Sequence, residues 1–217
     1  MTHRRAALYA VALLIFTTVP QLLIAQSDGP TLSVIVGLSR TTLGGKDAAA
    51  DLKPRTGALA GVSVIYGLKA KAKLEIDALY SRKGFRSHGP VSTFAFSASY
   101  LEIPLLFRLD LTPDARLRPF LVAGPAFGAQ LDCNGVTTSS TGTFSVNCPD
   151  LVSRSGIAVK KTDLSAVLGG GVAFPVGAVQ LTLAARYTVG FLNVIGDTDN
   201  HNRALSFYIG LGKGRRE

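Results

Sequence analysis

Outside the first few residues the chain has two histidines, His88 and His201, and these are the natural starting points for any catalytic chemistry. Serines 87, 92, 97 and 99 lie near His88, and Asp197 and Asp199 lie near His201. A serine hydrolase acting on lipid would need such a nucleophile, base and orienting carboxylate within hydrogen-bonding reach of one another. Both histidines fall in polar connecting stretches, where the simpler reading is solvated loop residues. The only cysteines, Cys133 and Cys148, share a stretch rich in Ser, Thr, Asn and Gly. In an oxidising compartment such a pair forms a disulfide, the alternative being two free thiols. Without a third Cys or a neighbouring His they cannot complete a tetrahedral metal shell. The run Gly169-Gly170-Gly171 is not followed by Gly-Lys-Ser/Thr, so it reads as close strand packing and not as a phosphate loop. No catalytic residue, metal or cofactor is expected.

A second set of charged residues is more unusual, because Glu75, Asp77, Glu102, Arg108 and Arg186 stand inside segments that are otherwise strongly apolar. The elements that must carry them follow from periodicity. Hydrophobic residues make up 47% of the chain and charged residues only 17%, with mean hydropathy +0.30, which is greasier than a soluble domain of 217 residues needs. Yet beyond residue 25 no apolar run reaches the ~18 residues of a spanning helix. Period-two alternation predicts eight strands, near 31–39, 58–68, 72–83, 97–110, 117–131, 163–174, 178–192 and 203–213. Long connections, near 40–57, 84–96, 132–162 and 193–202, alternate with short ones around Lys69-Ala70-Lys71, Thr112-Pro113-Asp114 and Pro175-Val176-Gly177. A sandwich has no reason to collect every long loop at one end, whereas a membrane barrel does.

In the fourth segment Leu101, Ile103, Leu105, Phe107 and Leu109 share one face, opposed by Tyr100, Glu102, Leu106, Arg108 and Asp110. The seventh and eighth segments sort in the same way, with Leu181, Leu183 and Tyr187, then Leu205, Phe207 and Ile209, on the apolar side. The opposite faces are rich in Gly, Ser, Thr and Ala, not in the Lys and Glu of a watered surface. Small residues suit the filled interior of a narrow barrel, which leaves the leucines to face lipid. The expectation is an all-β, eight-stranded, antiparallel, closed transmembrane barrel whose lumen holds Glu75, Asp77, Glu102, Arg108 and Arg186 as a paired network, since isolated buried charges are costly. Glu75 and Asp77 are placed with Arg108 at the periplasmic side, and Glu102 with Arg186 at mid-height. Pro104 and Pro125 each remove a ladder donor, and a bulge at either point would shift parity beyond it.

Arg4 and Arg5, the apolar core Ala6 to Phe16, Pro20 and the small Ala25 read as an export signal over 1–25, followed by one barrel domain over 26–217. Without Arg4 and Arg5 the 23 Lys and Arg become 21 against 14 acids, a net excess of seven. Cations cluster at the predicted periplasmic rim, at Lys69, Lys71, Lys73, Arg116, Arg118, Lys213, Arg215 and Arg216, where they would meet solvent or headgroups. Arg82, Lys83 and Arg86 near the outer rim would meet lipopolysaccharide phosphates, and Tyr66, Tyr80, Tyr187 and Phe191 would form interfacial girdles. Nucleic acid is not an expected partner, because these charges lie on turns, without a basic groove or interleaved aromatics.

Three segments carry a family resemblance: Ile76-Asp-Ala-Leu-Tyr-Ser-Arg-Lys-Gly84, Tyr100-Leu-Glu-Ile-Pro-Leu-Leu-Phe-Arg108 and Arg118-Pro-Phe-Leu-Val-Ala-Gly-Pro-Ala-Phe-Gly128. Their types and order resemble those of the small outer-membrane β-barrel proteins termed PorT-like. The resemblance implies an outer-membrane barrel of a diderm bacterium with a cleaved signal, and it accounts for both prolines. It does not imply a common activity. The C-terminal Leu211-Gly-Lys-Gly-Arg-Arg-Glu217 departs from the terminal aromatic of many barrels, which bears on recognition by the barrel-assembly machinery. The expected role is a non-enzymatic, monomeric envelope protein that contacts outer-membrane lipid and lipopolysaccharide and presents loops for binding or adhesion, or stabilises the envelope. Narrow transport of ions or small solutes is the alternative, and lipid hydrolysis the third reading.

Overall fold

The computed structural model describes residues 29–46, 52–148, 160–194 and 199–213. The export signal over 1–25, Asp197, Arg215 and Arg216 lie outside the described residues. No helix among the described residues is long and apolar enough to cross a membrane. The described residues form nine strands: β1 (Thr31–Gly44), β2 (Lys53–Gly67), β3 (Ala72–His88), β4 (Ser92–Asp110), β5 (Arg118–Ser139), β6 (Gly142–Asn147), β7 (Thr162–Val176), β8 (Val179–Gly190) and β9 (His201–Lys213). They pair antiparallel in the order β4-β3-β2-β1-β9-β8-β7-β5, and β4 also pairs with β5. That last pairing seals an eight-stranded cylinder. β6 stands outside the ring as the return arm of a hairpin on the upper end of β5.

Alternation dictates the faces, as a membrane barrel requires. On β9, Leu205, Phe207, Ile209 and Leu211 point outward, while Ala204, Ser206 and Tyr208 are buried inside. On β4 the outward set is Leu101, Ile103, Leu105 and Phe107, against the buried Tyr100, Leu106, Arg108 and Asp110. β1 repeats the pattern with Leu32, Val34, Val36 and Leu38 outside and Ser33, Ile35, Ser39 and Thr41 within.

Two expectations about the chain's path are corrected. The connection read as 84–96 is a tight turn at 89–91, and much of the one read as 132–162 is the upper part of β5 with β6. Strands extend beyond their apolar stretches because the backbone needs ladder partners outside lipid as well as within it. At ~3.3 Å per residue and a tilt near ~40°, the 17 residues of β3 climb about 43 Å, well past a ~25 Å apolar band. Pro104 and Pro125 do not slip the register: Pro104 faces Ala126, Phe107 faces Ala123 and Pro125 faces Ala166 on one continuous count. The slip occurs instead between Ser99↔Asp132 and Tyr100↔Gln130, which leaves Leu131 as the extra residue. A second irregularity lies in β2 between Pro54↔Phe85 and Leu59↔Ser81. There Thr41 of β1 bonds directly to β3, its Oγ1 donating to the Gly84 carbonyl at 2.9 Å and accepting from the Gly84 N–H at 2.8 Å.

The interior is filled in layers. Leu106, Phe120, Val122, Ala126, Val167 and Ala173 pack along the β4-β5-β7 wall, and Ile35, Leu59, Leu79 and Tyr208 along the opposite one. Above them Phe85, Phe96, Ala98, Tyr100, Cys133 and Cys148 pack at the end of the barrel that carries β6.

Candidate functional site

The chemistry-bearing side chains collect on the inner wall, and the closed ring sets which of them meet. β3 and β8 stand on opposite sides of the eight-stranded cylinder. Arg186 of β8 therefore reaches across the lumen, donating to Asp77 of β3 at 2.5 Å and pairing with Glu75. Glu75 also accepts from Arg108 Nη1 at 3.1 Å, and Arg108 Nε donates to Asp110 at 2.8 Å. Lys73 closes the chain on Asp110 at 2.5 Å. Aromatic faces carry the guanidinium groups: Arg108 lies 3.5 Å above the Phe120 ring centroid and Arg186 4.6 Å from that of Tyr208. The small residues of β7 make room, because a Cβ on Gly169 would lie 2.8 Å from Arg186 Cγ and one on Gly171 2.8 Å from Phe120 Cζ. That is the packing use expected of the glycine run.

Glu102 belongs to a different layer from Arg186. It pairs with Lys83 of β3, whose Nζ also reaches Asp163 of β7 at 3.3 Å. Asn202 of β9 donates to Asp163 at 2.9 Å, and Lys83 sits 5.1 Å above the Tyr100 ring. This corrects the placement of Lys83 on the outer rim. Residues 82 and 83 are adjacent in an extended strand, so Arg82 and Lys83 cannot share a face; Arg82 is exposed and Lys83 is buried. The pairing of Glu102 at mid-height with Arg186 fails because strand tilt staggers the rows, so position along a strand does not measure height. Arg118, read as a periplasmic-rim cation, is likewise turned inward and donates to Gln180 at 2.6 Å. Reasoning from sequence missed Lys83, Asp163 and Asn202, although their shared inward parity with Tyr100 and Glu102 was the available signal.

Between the two charged layers lies a void of about 20 Å³ lined by residues including Ile35, Leu79, Glu102, Arg186 and Tyr208. That is room for about one water.

Of the candidate hydrolase residues, His88 ends β3 and Ser92 begins β4 across the 89–91 turn, whereas the other serines of β4 are not brought to His201. Ser97 and Ser99 lie on β4 and His201 on β9, diametrically opposite in the ring. Ser97 Oγ accepts from Arg82 at 2.8 Å and Ser99 Oγ bonds Tyr80 at 2.9 Å. His201 Nδ1 is 3.8 Å from Asp199, too far for a hydrogen bond. Cys133 and Cys148 are joined as a disulfide with Cα atoms 5.6 Å apart. The Leu131 bulge makes this possible: inward positions on β5 are even-numbered up to Gln130 and odd-numbered from Cys133. Among the described residues no group of His, Cys, Asp and Glu is arranged to hold a metal ion.

A sealed cylinder with a leucine-rich outside and a plugged, ion-paired inside defines a membrane-spanning β-barrel. Residues 24–196 match the outer membrane protein β-barrel domain family, and the chain belongs to that family. It is therefore an outer-membrane protein. No curated protein matches the chain. Among solved structures, OprG from Pseudomonas aeruginosa aligns with TM-score 0.50 and 13% identity, covering 87% of this chain and 97% of that one. Neisserial surface protein A aligns at TM-score 0.47 and 13% identity, covering 86% and 99%. Ail, the attachment invasion locus protein of Yersinia pestis, aligns at 0.42 and 12%, covering 86% and 99%.

Proposed function

We propose that this chain is a monomeric, non-conducting and non-enzymatic envelope protein that uses a rigid barrel to hold binding hairpins above the outer leaflet. The carrying observation is the crossed lumen. Arg186 spans from β8 to Glu75 and Asp77 on β3, Lys83 spans from β3 to Asp163 on β7, and a void of about 20 Å³ lies between them. A hydrated ion entering this space would have to displace buried ion pairs, and the loss of one partner alone leaves a charge uncompensated. The upper parts of β3, β4, β5 and β6 then form a sheet beyond the apolar band, tied by Cys133–Cys148 and stiffened by Phe85 and Phe96. The three motifs around Gly84, Pro104 and Pro125 support a place within the PorT-like branch.

Two measurements on the full-length protein test the proposal. In planar bilayers the purified protein is expected to give no single-channel steps above lipid background; regular steps would transfer the assignment to ion conduction. An epitope inserted between Ser140 and Thr141 is expected to bind antibody on intact cells. Labelling only after the outer membrane is permeabilised would reject outward presentation.

A further inference from the structure

Charge is unevenly distributed around the outside of the barrel. On β9, β1 and β3 the outward apolar series ends in an arginine at its extracellular edge: Arg203 after Leu205, Arg40 after Leu38 and Arg82 after Tyr80. β2, between β1 and β3, carries Lys53 there, with Arg86 as its direct cross-strand partner, and the half-buried Arg55 beside them, opposite Thr41 of β1. On the other half of the circumference the cations are fewer: β4 and β5 leave the belt at Ser99 and Asp132, and only the exposed Lys160 and Lys161 precede Thr162 of β7. None of the six cations on β9, β1, β2 and β3 makes an ion pair among the described residues.

The arginines are also held in place. Arg203 lies along Gly44, where a Cβ would come within 2.2 Å of its Nε. Arg55 donates to the Phe96 carbonyl at 3.3 Å, the same oxygen that lies 2.2 Å from the Cβ position of Gly84. Arg82 is tied to Ser97 at 2.8 Å. Arg55 thus sits within electrostatic reach of both Arg82 and Arg86. Guanidinium groups gathered by neutral acceptors, without a carboxylate, are an arrangement that an external polyanion stabilises, and Arg is suited to bidentate phosphate contact.

A second, independent feature adjoins the arc, on the outer wall of β7, β8, β9 and β1. Gly170 and Ala185 are small beside Leu183 and Phe207, which leaves an outward apolar groove of about 740 Å³ that also reaches Val36 and Leu38. Leu38 faces Phe207, and Arg40 faces Leu205 one outward step higher, so Arg40 and Arg203, at the β1–β9 end of the arc, stand over the margin of the groove. An anion at the extracellular edge of the belt with a hydrocarbon chain beneath it is a lipid of the outer leaflet.

We infer that the outer wall around β9 and β1 is a site for a phosphorylated glycolipid of the lipopolysaccharide class, its phosphates on the arginine arc of β9, β1, β2 and β3 and one acyl chain in the adjoining groove between β7 and β1. This inference rests on the proposed orientation, with the hairpins outside the cell.

The test uses purified full-length protein in detergent micelles, titrated by native mass spectrometry with bisphosphorylated lipid A, with dephosphorylated lipid A and with pyrophosphate. Bisphosphorylated lipid A is expected to bind at least ~10-fold more tightly than the dephosphorylated form, as phosphate contacts near a charged surface are worth about fivefold per arginine. The triple change R40Q/R82Q/R203Q should remove that preference, whereas K69Q/K71Q/R116Q on the periplasmic turns should keep it. Ala185→Phe, which fills the groove, should weaken both lipid A forms. Equal affinity of the wild-type protein for the two lipid A forms would overturn the site, whatever the variants do. So would an equal loss in the periplasmic triple variant, or pyrophosphate binding as tightly as lipid A, which would mark a site for free phosphate. Binding in micelles does not depend on orientation, so a failed antibody test beside retained lipid A selectivity would reject the orientation and not the site.

Discussion

Arg186 is the residue on which the lumen turns, because it is the only described side chain that pairs with both Glu75 and Asp77 from the far wall. Replacing it with methionine keeps most of the volume but leaves Asp77 without its cation. Removal of one member of a buried pair costs about 3–5 kcal/mol. Arg186→Met is therefore expected to lower the unfolding free energy obtained from urea titration of the barrel in lipid vesicles by an amount in that range. Adding Asp77→Asn should recover part of the loss, since the orphaned charge is then gone. A double variant no more stable than Arg186→Met would show that the ion pair is not the source of the effect. Lys83→Met should behave similarly through Glu102 and Asp163, and milder losses are expected from Arg82→Gln, whose side chain is exposed.

Among the elements, β5 carries the most information because one extra residue changes what its upper half presents. With Leu131 in the ladder as an unmatched residue, Cys133 turns inward beside Phe96, Ala98 and Tyr100 and meets Cys148. Deleting Leu131 would restore a single register along β5 and leave Cys133 facing inward opposite Ala98, because only the outward Asp132 then separates it from the inward Gln130. The expected result is a protein that still inserts, resists unfolding and shows no alkylatable thiol under non-reducing conditions. Two alkylatable thiols in that variant would mean that Leu131 is not the extra residue of the ladder. Cys133→Ser with Cys148→Ser removes a tie across 15 residues, worth at most about 3 kcal/mol of local order. The β5–β6 hairpin should then be cut faster by added protease while the eight ring strands stay resistant.

At the scale of the molecule, closure is the dominant fact. All eight ring strands are paired on both sides, so the ring presents no free edge and cannot open one strand at a time. An unboiled sample in mild detergent is accordingly expected to migrate differently from a boiled one on a gel. Identical migration would indicate an open or loosely paired sheet. The same closure explains why a narrow cylinder tolerates so many ionisable groups: each reaches a partner on another wall without crossing more than one lumen diameter. β6, the one described strand outside the ring, projects from the same end of the barrel as the disulfide.

Much of this architecture is legible in the order of residues alone. Period-two alternation, a small-residue inner face and the absence of any long apolar run defined a barrel, its face assignments and the inward set Glu75, Asp77, Glu102, Arg108 and Arg186. These are local properties, because an extended strand sends neighbouring side chains to opposite faces wherever it lies. What tertiary structure decided was height and partnership. Tilt and stagger raise Glu102 to Lys83 and Asp163, bring Arg186 down to Asp77, and let the extra Leu131, not either proline, set the parity of Cys133. Those outcomes depend on where each strand sits relative to its neighbours once the ring has closed, a quantity no single strand encodes.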